Sequence, residues 1–305
     1  MSLTEPLFKK LCLIGLGLIG SSIARAARAS RAVQEISALD ASPQVLARVR
    51  ELGIADDAGG DMERALKGAD LVILCVPVGV IGAVAKTVAP YLETGAVLSD
   101  VGSVKGSVVA QIAPHVPHGV HFIPAHPLAG TEYSGPDAGF ATLFQNRWCI
   151  LTPARAGGDA VEATAEFWKR LGAKVETMTT EHHDLALAVT SHLPHLIAFN
   201  IVGTAAHLEQ VTQSEVIKFS ASGFRDFTRI AASDPTMWRD IFLNNREAVL
   251  EMLSRFNADL DALRSMIEKG DGQGLFDLFT RTRAIRRGIV EQGQDTAAPD
   301  FGRTH

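Results

Sequence analysis

The sequence has only three cysteines in 305 residues, and they stand far apart at Cys12, Cys75 and Cys149. Each lies in an apolar, strand-like segment, and none belongs to a spacing typical of metal ligands. We therefore expect buried, reduced thiols and no metal site. Lysine and arginine are scattered, and the formal net charge is -5, which argues against nucleic-acid binding.

Segments that would direct the chain to a membrane are also missing from the pattern. The first ten residues, MSLTEPLFKK, lack the apolar core of a signal peptide. We find no uninterrupted apolar span that approaches the roughly 20 residues of a membrane helix. These absences favour a cytoplasmic protein without membrane contacts.

What the chain does have is a hydrophobic fraction of 47%, enough for a large core in two domains. Apolar strand-like segments alternate with helical ones up to residue 179, which predicts an α/β domain with a doubly wound, mainly parallel sheet over 1–179. We expect its last strands to include antiparallel pairing. Within it we predict a short strand around Ile54 and another over 120–125, ending at His126.

Helical periods replace the strand pattern from Glu181 onward. They predict an all-α second domain over 180–292, and several helices are apolar over more than one face. We expect those faces to be covered by a second copy, in a homodimer. The polar tail over 293–305 is predicted to be disordered. The predicted helices are 186–208, 213–231, 235–269 and 274–290.

Three glycines follow the first apolar run, 11–14, in the spacing G-x-G-x-x-G, and a helical segment comes directly after them. Gly15 allows the turn, Gly17 lets the backbone approach a pyrophosphate, and Gly20 lets the helix pack closely on its strand. A strand, this turn and a helix together predict a dinucleotide site, with a glycine-rich structural turn as the alternative. The predicted cofactor-binding residues here and at later strand ends are Gly15, Gly17, Leu18, Ile19, Gly20, Val76, Pro77 and Ser103.

A carboxylate at Asp40 follows the next predicted strand, twenty residues after Gly20. This is where an acidic residue binds the ribose hydroxyls of NAD. The extra phosphate of NADP would be repelled there, and Ala41 and Ser42 supply no arginine to receive it. The sequence therefore predicts NAD as cofactor and disfavours NADP.

Ligands of an open α/β sheet bind beyond the carboxyl ends of its strands, which selects Pro77, the segment 100–103 and His126. Histidine titrates near neutrality and can accept a proton from a substrate hydroxyl while hydride leaves the same carbon. The alternative for His126 is a capped structural histidine. Ser103 could orient that imidazole by a hydrogen bond, or could cap the helix that follows it.

The segment SHLPH places Pro194 inside a predicted helix, where it should kink the axis between His192 and His195. Their H-x-x-H spacing lacks a third ligand, so we do not expect a metal. The segment HHD at 182–184 is predicted to be a solvated helix start.

Arg225 and Arg229 stand one turn apart, so both guanidiniums should project from one helical face and could bind carboxylates. The alternative is that each pairs with a local acid such as Asp226. The dipeptide at 234–235 predicts a helix break, with Trp238 one turn into the next helix.

Five motifs of the chain occur together in one enzyme family. GLGLIG at 15–20 is shared by many dehydrogenases, whereas the other four are specific in this order and spacing. These four are DVGSVKG at 100–106, HPLAGTE at 126–132, SHLPH at 191–195 and GFRDFTRIAASDPTMWRDI at 223–241. Over about residues 11–287, the chain resembles the bacterial prephenate and arogenate dehydrogenases of tyrosine biosynthesis.

The resemblance implies an oxidative decarboxylation of a small dicarboxylate, in which NAD takes hydride from the ring carbon that bears the hydroxyl. His126 would be the base that polarises this hydroxyl, and Ser103 would contact both His126 and the nicotinamide side. Arg229 would bind a carboxylate, and either subunit could supply Arg225 and Trp238. The residues implied in substrate binding are His195, Arg229, Arg225, Glu132 and Trp238.

An acid at Glu132 would favour the ammonium group of arogenate over the keto group of prephenate. We therefore hypothesise that arogenate is accepted as a substrate.

Two other functions compete with this interpretation. A β-hydroxyacid dehydrogenase or imine reductase would share the two-domain plan, but the hydroxyacid enzymes use a lysine on the first long helix of the second domain. The chain has no lysine between Glu176 and Ile217. A non-catalytic NAD-sensing module is disfavoured by the complete set of Ser103, His126, His195 and Arg229.

Overall fold

The computed structural model describes residues 5–131, 133–218 and 221–291, without the side chains of 208–217 and 290. By its internal contacts the chain divides into two compact units, Met1–Val249 and Leu250–His305. The predicted tail over 293–305 lies outside the described residues. The predicted domain boundary at 179 stays a prediction, although the last strand ends at Thr177 and a helix begins at Thr180.

A parallel sheet of five strands forms the centre of the first unit. The strands are β1 (Phe8–Ile14), β2 (Val33–Leu39), β3 (Leu71–Leu74), β4 (Val97–Asp100) and β5 (His121–Phe122). Their order in the sheet is β2-β1-β3-β4-β5. The order reverses between β1 and β3, so the connections after these two strands run in opposite directions and open a crevice at their carboxyl ends.

Both faces of this sheet are buried, as the continuous apolar runs of its strands predict. Alternate residues of a strand point to opposite faces. Leu11 and Leu13 of β1 accordingly belong to one hydrophobic cluster, whereas Cys12 and Ile14 belong to another. The predicted doubly wound arrangement is therefore confirmed. The helices of this part are α1 (Leu18–Ala29), α2 (Pro43–Leu52), α3 (Met62–Leu66), α4 (Ile81–Val88), α5 (Gly106–Ile112) and α6 (Gly158–Arg170).

A second, three-stranded sheet contains β6 (Ala125–Pro127), β7 (Trp148–Leu151) and β8 (Lys174–Thr177). The first two strands are antiparallel and the last two are parallel. The single strand predicted over 120–125 was wrong, because β5 ends and β6 begins within it. Pro124 lies between them and has no N–H with which to continue the ladder. His126 consequently lies inside β6, opposite Ile150.

The strand predicted around Ile54 is also not formed. Gly53 ends α2 with a φ of 61°, and the segment after it makes only the single bridge between Ser37 and Asp57.

From Thr180 to the end of the described chain, all regular elements are helical. The predicted helix over 235–269 was wrong in its continuity, since it breaks at Asn245, which has φ -115° and ψ 36°. A π turn, Ala188–His192, precedes the helix that contains Pro194, and the 3-10 turn Arg229–Ala232 follows the helix Ser222–Thr228. The helices are α7 (Thr180–Leu187), α8 (Leu193–Lys218), α9 (Ser222–Thr228), α10 (Pro235–Asn244), α11 (Arg246–Lys269) and α12 (Gly272–Glu291).

One helical stretch, Thr180–His207, is long and apolar enough to cross a membrane by length and composition. It is not an uninterrupted apolar span of the kind considered in the sequence, because it contains polar residues such as Ser191, His195 and Asn200. Core helices of soluble proteins pass the same test, and 22% of the apolar window of this stretch is buried within the chain. Its length and composition are weak evidence for a membrane span.

Candidate active site

The glycine turn after β1 is shaped by close backbone packing at two of its three glycines. Gly15 has φ 95°, and a Cβ there would lie 2.5 Å from the carbonyl oxygen of Cys75. A Cβ on Gly20 would clash with the Gly15 carbonyl. A Cβ on Gly17 would meet no heavy atom within 4 Å. The protein itself thus leaves open space at Gly17, at the N-terminus of α1, which fits a pyrophosphate.

Asp40 follows β2 and is held beside this turn by backbone N–H groups. Leu16 N donates to its Oδ2 at 2.8 Å, and Ser42 N donates to its Oδ1 at 2.9 Å. A carboxylate oxygen can accept more than one hydrogen bond, so both oxygens can still receive ribose hydroxyls. The turn and Asp40 therefore fit the adenosine half of NAD.

Val76 and Pro77 follow β3 at the same edge of the sheet. A Cβ on Gly15 would lie 3.1 Å from a methyl group of Val76, so Val76 borders the glycine turn. Pro77 is exposed. Leu18 and Ile19 form the first turn of α1.

A buried ion pair lies at the carboxyl end of β4. Lys105 Nζ contacts Asp100 Oδ2, and both side chains are 0% exposed. The same ammonium donates to the carbonyl oxygen of Ala125 at 2.7 Å. Burial lowers the pKa of Lys105 and raises the pKa of Asp100, and their mutual attraction opposes both effects. The pair fixes the end of β4 to the residue that precedes His126.

His126 is 7% exposed and contacts a second histidine that the sequence analysis did not assign to the site. Its Nδ1 lies 2.8 Å from His183 Nε2, and His183 Nδ1 lies 2.8 Å from Asp184 Oδ1. The predicted solvated helix start was wrong for His183, which is 0% exposed. His182 is exposed, because successive residues of α7 point in different directions.

The charge states of His126 and Asp184 follow from their burial and their hydrogen bonds. Burial holds the pKa of His126 well below its usual range, and His183 and Lys105 lower the pKa further. Burial opposes ionisation of Asp184, but hydrogen bonds from His183 and from the N–H groups of Lys105 and Gly106 outweigh it and lower the pKa of Asp184. Near neutral pH the site thus combines a neutral His126 with an ionised Asp184.

Ser103 does not form the predicted hydrogen bond to His126. Its hydroxyl has no hydrogen-bond partner within the described chain, and the Nδ1 of His126 is occupied by His183 instead. The helix-capping alternative is not observed either, since α5 begins after Lys105 without a side-chain cap. The half-buried Ser103 leaves its hydroxyl available to a ligand.

Asn245, at the break between α10 and α11, is a further residue that the sequence analysis missed. Its Nδ2 donates to the Asp184 carbonyl at 2.8 Å and lies 3.1 Å from His192 Nδ1. Burial lowers the pKa of His192 to about 4. The helix break therefore supplies a donor that joins α7 to the π turn.

His195, Trp238 and Arg229 are brought together within one chain. The rings of His195 and Trp238 stack with centroids 3.7 Å apart and an interplanar angle of 23°. His195 Nδ1 donates to the Ser191 carbonyl oxygen at 2.8 Å. Burial lowers the pKa of His195, and the positive charge of Arg229 lowers it further. Arg225 is exposed on α9.

Glu132 lies outside the described residues. Among the described residues, no group of three or more His, Cys, Asp or Glu side chains could hold a metal ion.

The open parallel sheet, the glycine turn with its carboxylate and the neutral histidine define a dehydrogenase of the Rossmann class. Residues 23–177 match the family model for the prephenate dehydrogenase nucleotide-binding domain, and residues 179–281 match that for the prephenate dehydrogenase dimerization domain. The chain belongs to the prephenate dehydrogenase family. The predicted family is confirmed.

Similar proteins cover most of the chain. The cyclohexadienyl dehydrogenase of Zymomonas mobilis is 44% identical over 92% of this chain and 95% of its own length. The prephenate dehydrogenase of Bacillus subtilis is 34% identical over 95% of this chain and 78% of its own. The crystal structure of Aquifex aeolicus prephenate dehydrogenase with hydroxyphenyl propionate and NAD+ is 32% identical and has a TM-score of 0.87, covering 95% of this chain and 100% of that one.

Proposed function

We propose that the protein catalyses the NAD-dependent oxidative decarboxylation of prephenate, arogenate or both, giving 4-hydroxyphenylpyruvate, tyrosine or both, in tyrosine biosynthesis. The names of its relatives support this activity, and the Aquifex aeolicus structure with NAD+ supports the cofactor. The open space at Gly17 and the carboxylate of Asp40 support NAD from this chain's own geometry.

One observation carries the proposal, namely that the neutral imidazole of His126 and the charge of Arg229 belong to one connected cluster of rings. His192 acts on the pKa of His126, and the ring centroid of Trp238 lies 6.1 Å from that of His192 and 3.7 Å from that of His195. The positive charge of Arg229 lowers the pKa of His195. A small dicarboxylate could therefore present its ring hydroxyl to His126 and a carboxylate to Arg229.

Bound at the glycine turn and Asp40, NAD would supply the hydride acceptor. His126 would take the proton of the ring hydroxyl, and the same ring carbon would lose hydride. The bond to the ring carboxylate would then break with release of carbon dioxide, leaving its electron pair to the aromatic ring. His195 and Arg229 would hold the substrate in the orientation that this step needs.

The remaining predicted site residues belong to the same proposal. The free hydroxyl of Ser103 would contact the substrate or the nicotinamide side. Trp238 would form a wall of the site through its stacking on His195. Arg225 and Glu132 would reach the substrate side chain.

We further propose a cytoplasmic homodimer with a nucleotide-binding domain over 1–179 and a helical substrate and dimerisation domain over 180–292. The family model for a dimerization domain supports the oligomer, as do exposed apolar side chains on α11 and α12. The three cysteines are free, which fits a reducing compartment. The exposed apolar side chains include Leu250, Leu260, Ile267, Phe276, Phe279 and Ile285.

Formation of NADH by the purified protein, with prephenate and arogenate supplied separately, tests the activity. We expect turnover of at least one substrate and a loss of about 10²-fold or more in His126→Asn, because a general base contributes about this much. NAD binding without turnover of either substrate would contradict the proposed reaction.

A further inference from the structure

We infer that His183 and Asp184 are positioning residues, which fix the ring of His126 in the tautomer whose Nε2 can accept a proton. The inference concerns the base of the proposed function and rests on it. It assigns a role to two residues that occur in none of the motifs that carried the resemblance.

The chain of hydrogen bonds begins at the carboxylate of Asp184. Its Oδ1 accepts the backbone N–H of Lys105 at 2.8 Å, and its Oδ2 accepts the N–H of Gly106 at 2.8 Å. These two donors, together with His183, favour the ionised carboxylate. An ionised carboxylate can only accept, so the proton in the contact between His183 and Asp184 must reside on His183 Nδ1.

The position of that proton determines which ring donates in the contact between His183 and His126. Burial lowers the pKa of His183, and the hydrogen bond to Asp184 opposes this effect without reversing it. The charge of Lys105 lowers the pKa further, so the ring is neutral and carries a single proton. With this proton on Nδ1, the Nε2 of His183 is an acceptor. The 2.8 Å contact to His126 then requires a proton on His126 Nδ1.

His126 is also neutral, so a proton on its Nδ1 leaves a lone pair on Nε2. This is the tautomer that a general base needs. When Nε2 takes the substrate proton, the new positive charge is stabilised by the Nδ1–H donor to His183 and, through it, by the carboxylate of Asp184. In the serine protease triad, the carboxylate orients and stabilises its histidine in the same sense.

The surrounding residues hold the hydrogen-bonded side chains of Asp184, His183 and His126 in one arrangement. Asp184 is anchored on the N–H groups at the start of α5, and Asn245 binds its carbonyl oxygen. The charged and titratable groups that act on His126 and His183 are Asp100 of β4, Lys105 before α5, Asp184 of α7 and His192 of the π turn. The only cation among them, Lys105, disfavours a second proton on either ring.

Two substitutions of His183 separate positioning from packing. His183→Phe keeps an aromatic ring but removes the acceptor for His126 Nδ1–H, and we expect kcat to fall by about 10²-fold with an unchanged KM for NAD. His183→Gln places an amide oxygen near the former Nε2 position, and we expect its kcat to lie within about tenfold of the original value. His182→Phe, at the exposed neighbour, serves as the control. Equal losses in the Phe and Gln variants would overturn the inference.

The tautomer itself can be measured without substrate. In protein labelled with 15N-histidine, the ring nitrogens of His126 are assigned by their loss in His126→Asn. We expect the proton of His126 on Nδ1, and a redistribution between Nδ1 and Nε2 in His183→Phe. A proton on Nε2 in the unchanged protein would refute the inference. This measurement decides the question even if neither substrate is turned over, in which case the proposed function fails separately.

Discussion

Lys105 Nζ and Asp100 Oδ2 form a salt bridge in which neither side chain has any solvent exposure. The ammonium also donates to the Ala125 carbonyl, and Gly102 N donates to Asp100 Oδ2 at 2.7 Å. Removing one charge of such a pair leaves the other buried without compensation, which costs more than the pair contributes in net stability. The pair therefore makes this corner of the site sensitive to single substitutions.

We expect Lys105→Met to lower the free energy of unfolding by about 3–5 kcal/mol, since it leaves the buried carboxylate of Asp100 without a counter-charge. The double variant with Asp100→Asn should regain part of this loss, because the uncompensated charge is gone. Urea denaturation measures both. Arg48→Met is a matched control, since the ion pair of Arg48 with Asp137 is exposed, and it should change stability little. A double variant less stable than Lys105→Met would contradict this explanation.

The glycine turn allows a sharp comparison between Gly17 and Gly20. Gly17→Ala should fold with an unchanged urea midpoint, because its Cβ meets no protein atom, yet it should bind NAD at least about tenfold more weakly, or about 1.4 kcal/mol. Gly20→Ala should lose about 1–3 kcal/mol of stability, because its Cβ clashes with the Gly15 carbonyl. Calorimetric titration with NAD, alongside urea denaturation, checks both. If Gly17→Ala kept its NAD affinity, the pyrophosphate would have to bind elsewhere.

The glycine turn was predictable because its signal is local, with strand, turn and helix adjacent in the chain. Asp40 and the change from strands to helices near 179 were visible for the same reason. His126 was selected as a candidate from its position after an apolar run, although the structure places it inside β6 rather than beyond a strand. Here Pro124 was the overlooked signal.

The surroundings of His126 could not be read in the same way, because they depend on residues far apart in the sequence. His126 and His183 are 57 positions apart, the N–H of Lys105 and Asp184 are 79 apart, and Asn245 and Asp184 are 61 apart. A pair of histidines beside an aspartate is also typical of a solvated helix start. Only the packing of α7 against the sheet edge distinguishes the two cases.

Cofactor choice should depend on the charge of Asp40. We expect Asp40→Asn to raise the ratio of kcat/KM for NADP over NAD by about tenfold or more, because the repulsion of a 2′-phosphate disappears. The amide oxygen can still accept the N–H of Leu16, so the turn should persist. Glu63→Gln changes the net charge equally at an exposed site and should leave the ratio unchanged. Steady-state kinetics with both cofactors measure the effect, and an unchanged ratio in Asp40→Asn would show that other residues exclude NADP.

Stability should fall in mild acid because buried histidines resist protonation. Burial lowers the pKa of His192 to about 4, whereas a histidine in the unfolded chain has a pKa near 6.5. Between these values the unfolded state binds the proton and the folded state does not, so the free energy of unfolding decreases as pH falls through this window. His192 alone accounts for about 3 kcal/mol at the lower limit. Burial also lowers the pKa values of His126 and His183, which adds to the loss in the same direction.

Urea denaturation at several pH values between about 7.5 and 4.5 measures this slope. We expect His192→Gln to flatten it, because the amide does not titrate. His118→Gln is the matched control, since His118 is exposed and its replacement should leave the slope unchanged. A slope that is as steep in His192→Gln as in the original protein would mean that His192 binds its proton over the same pH range in the folded and unfolded states. The neutral network around His126 would then need a different charge assignment.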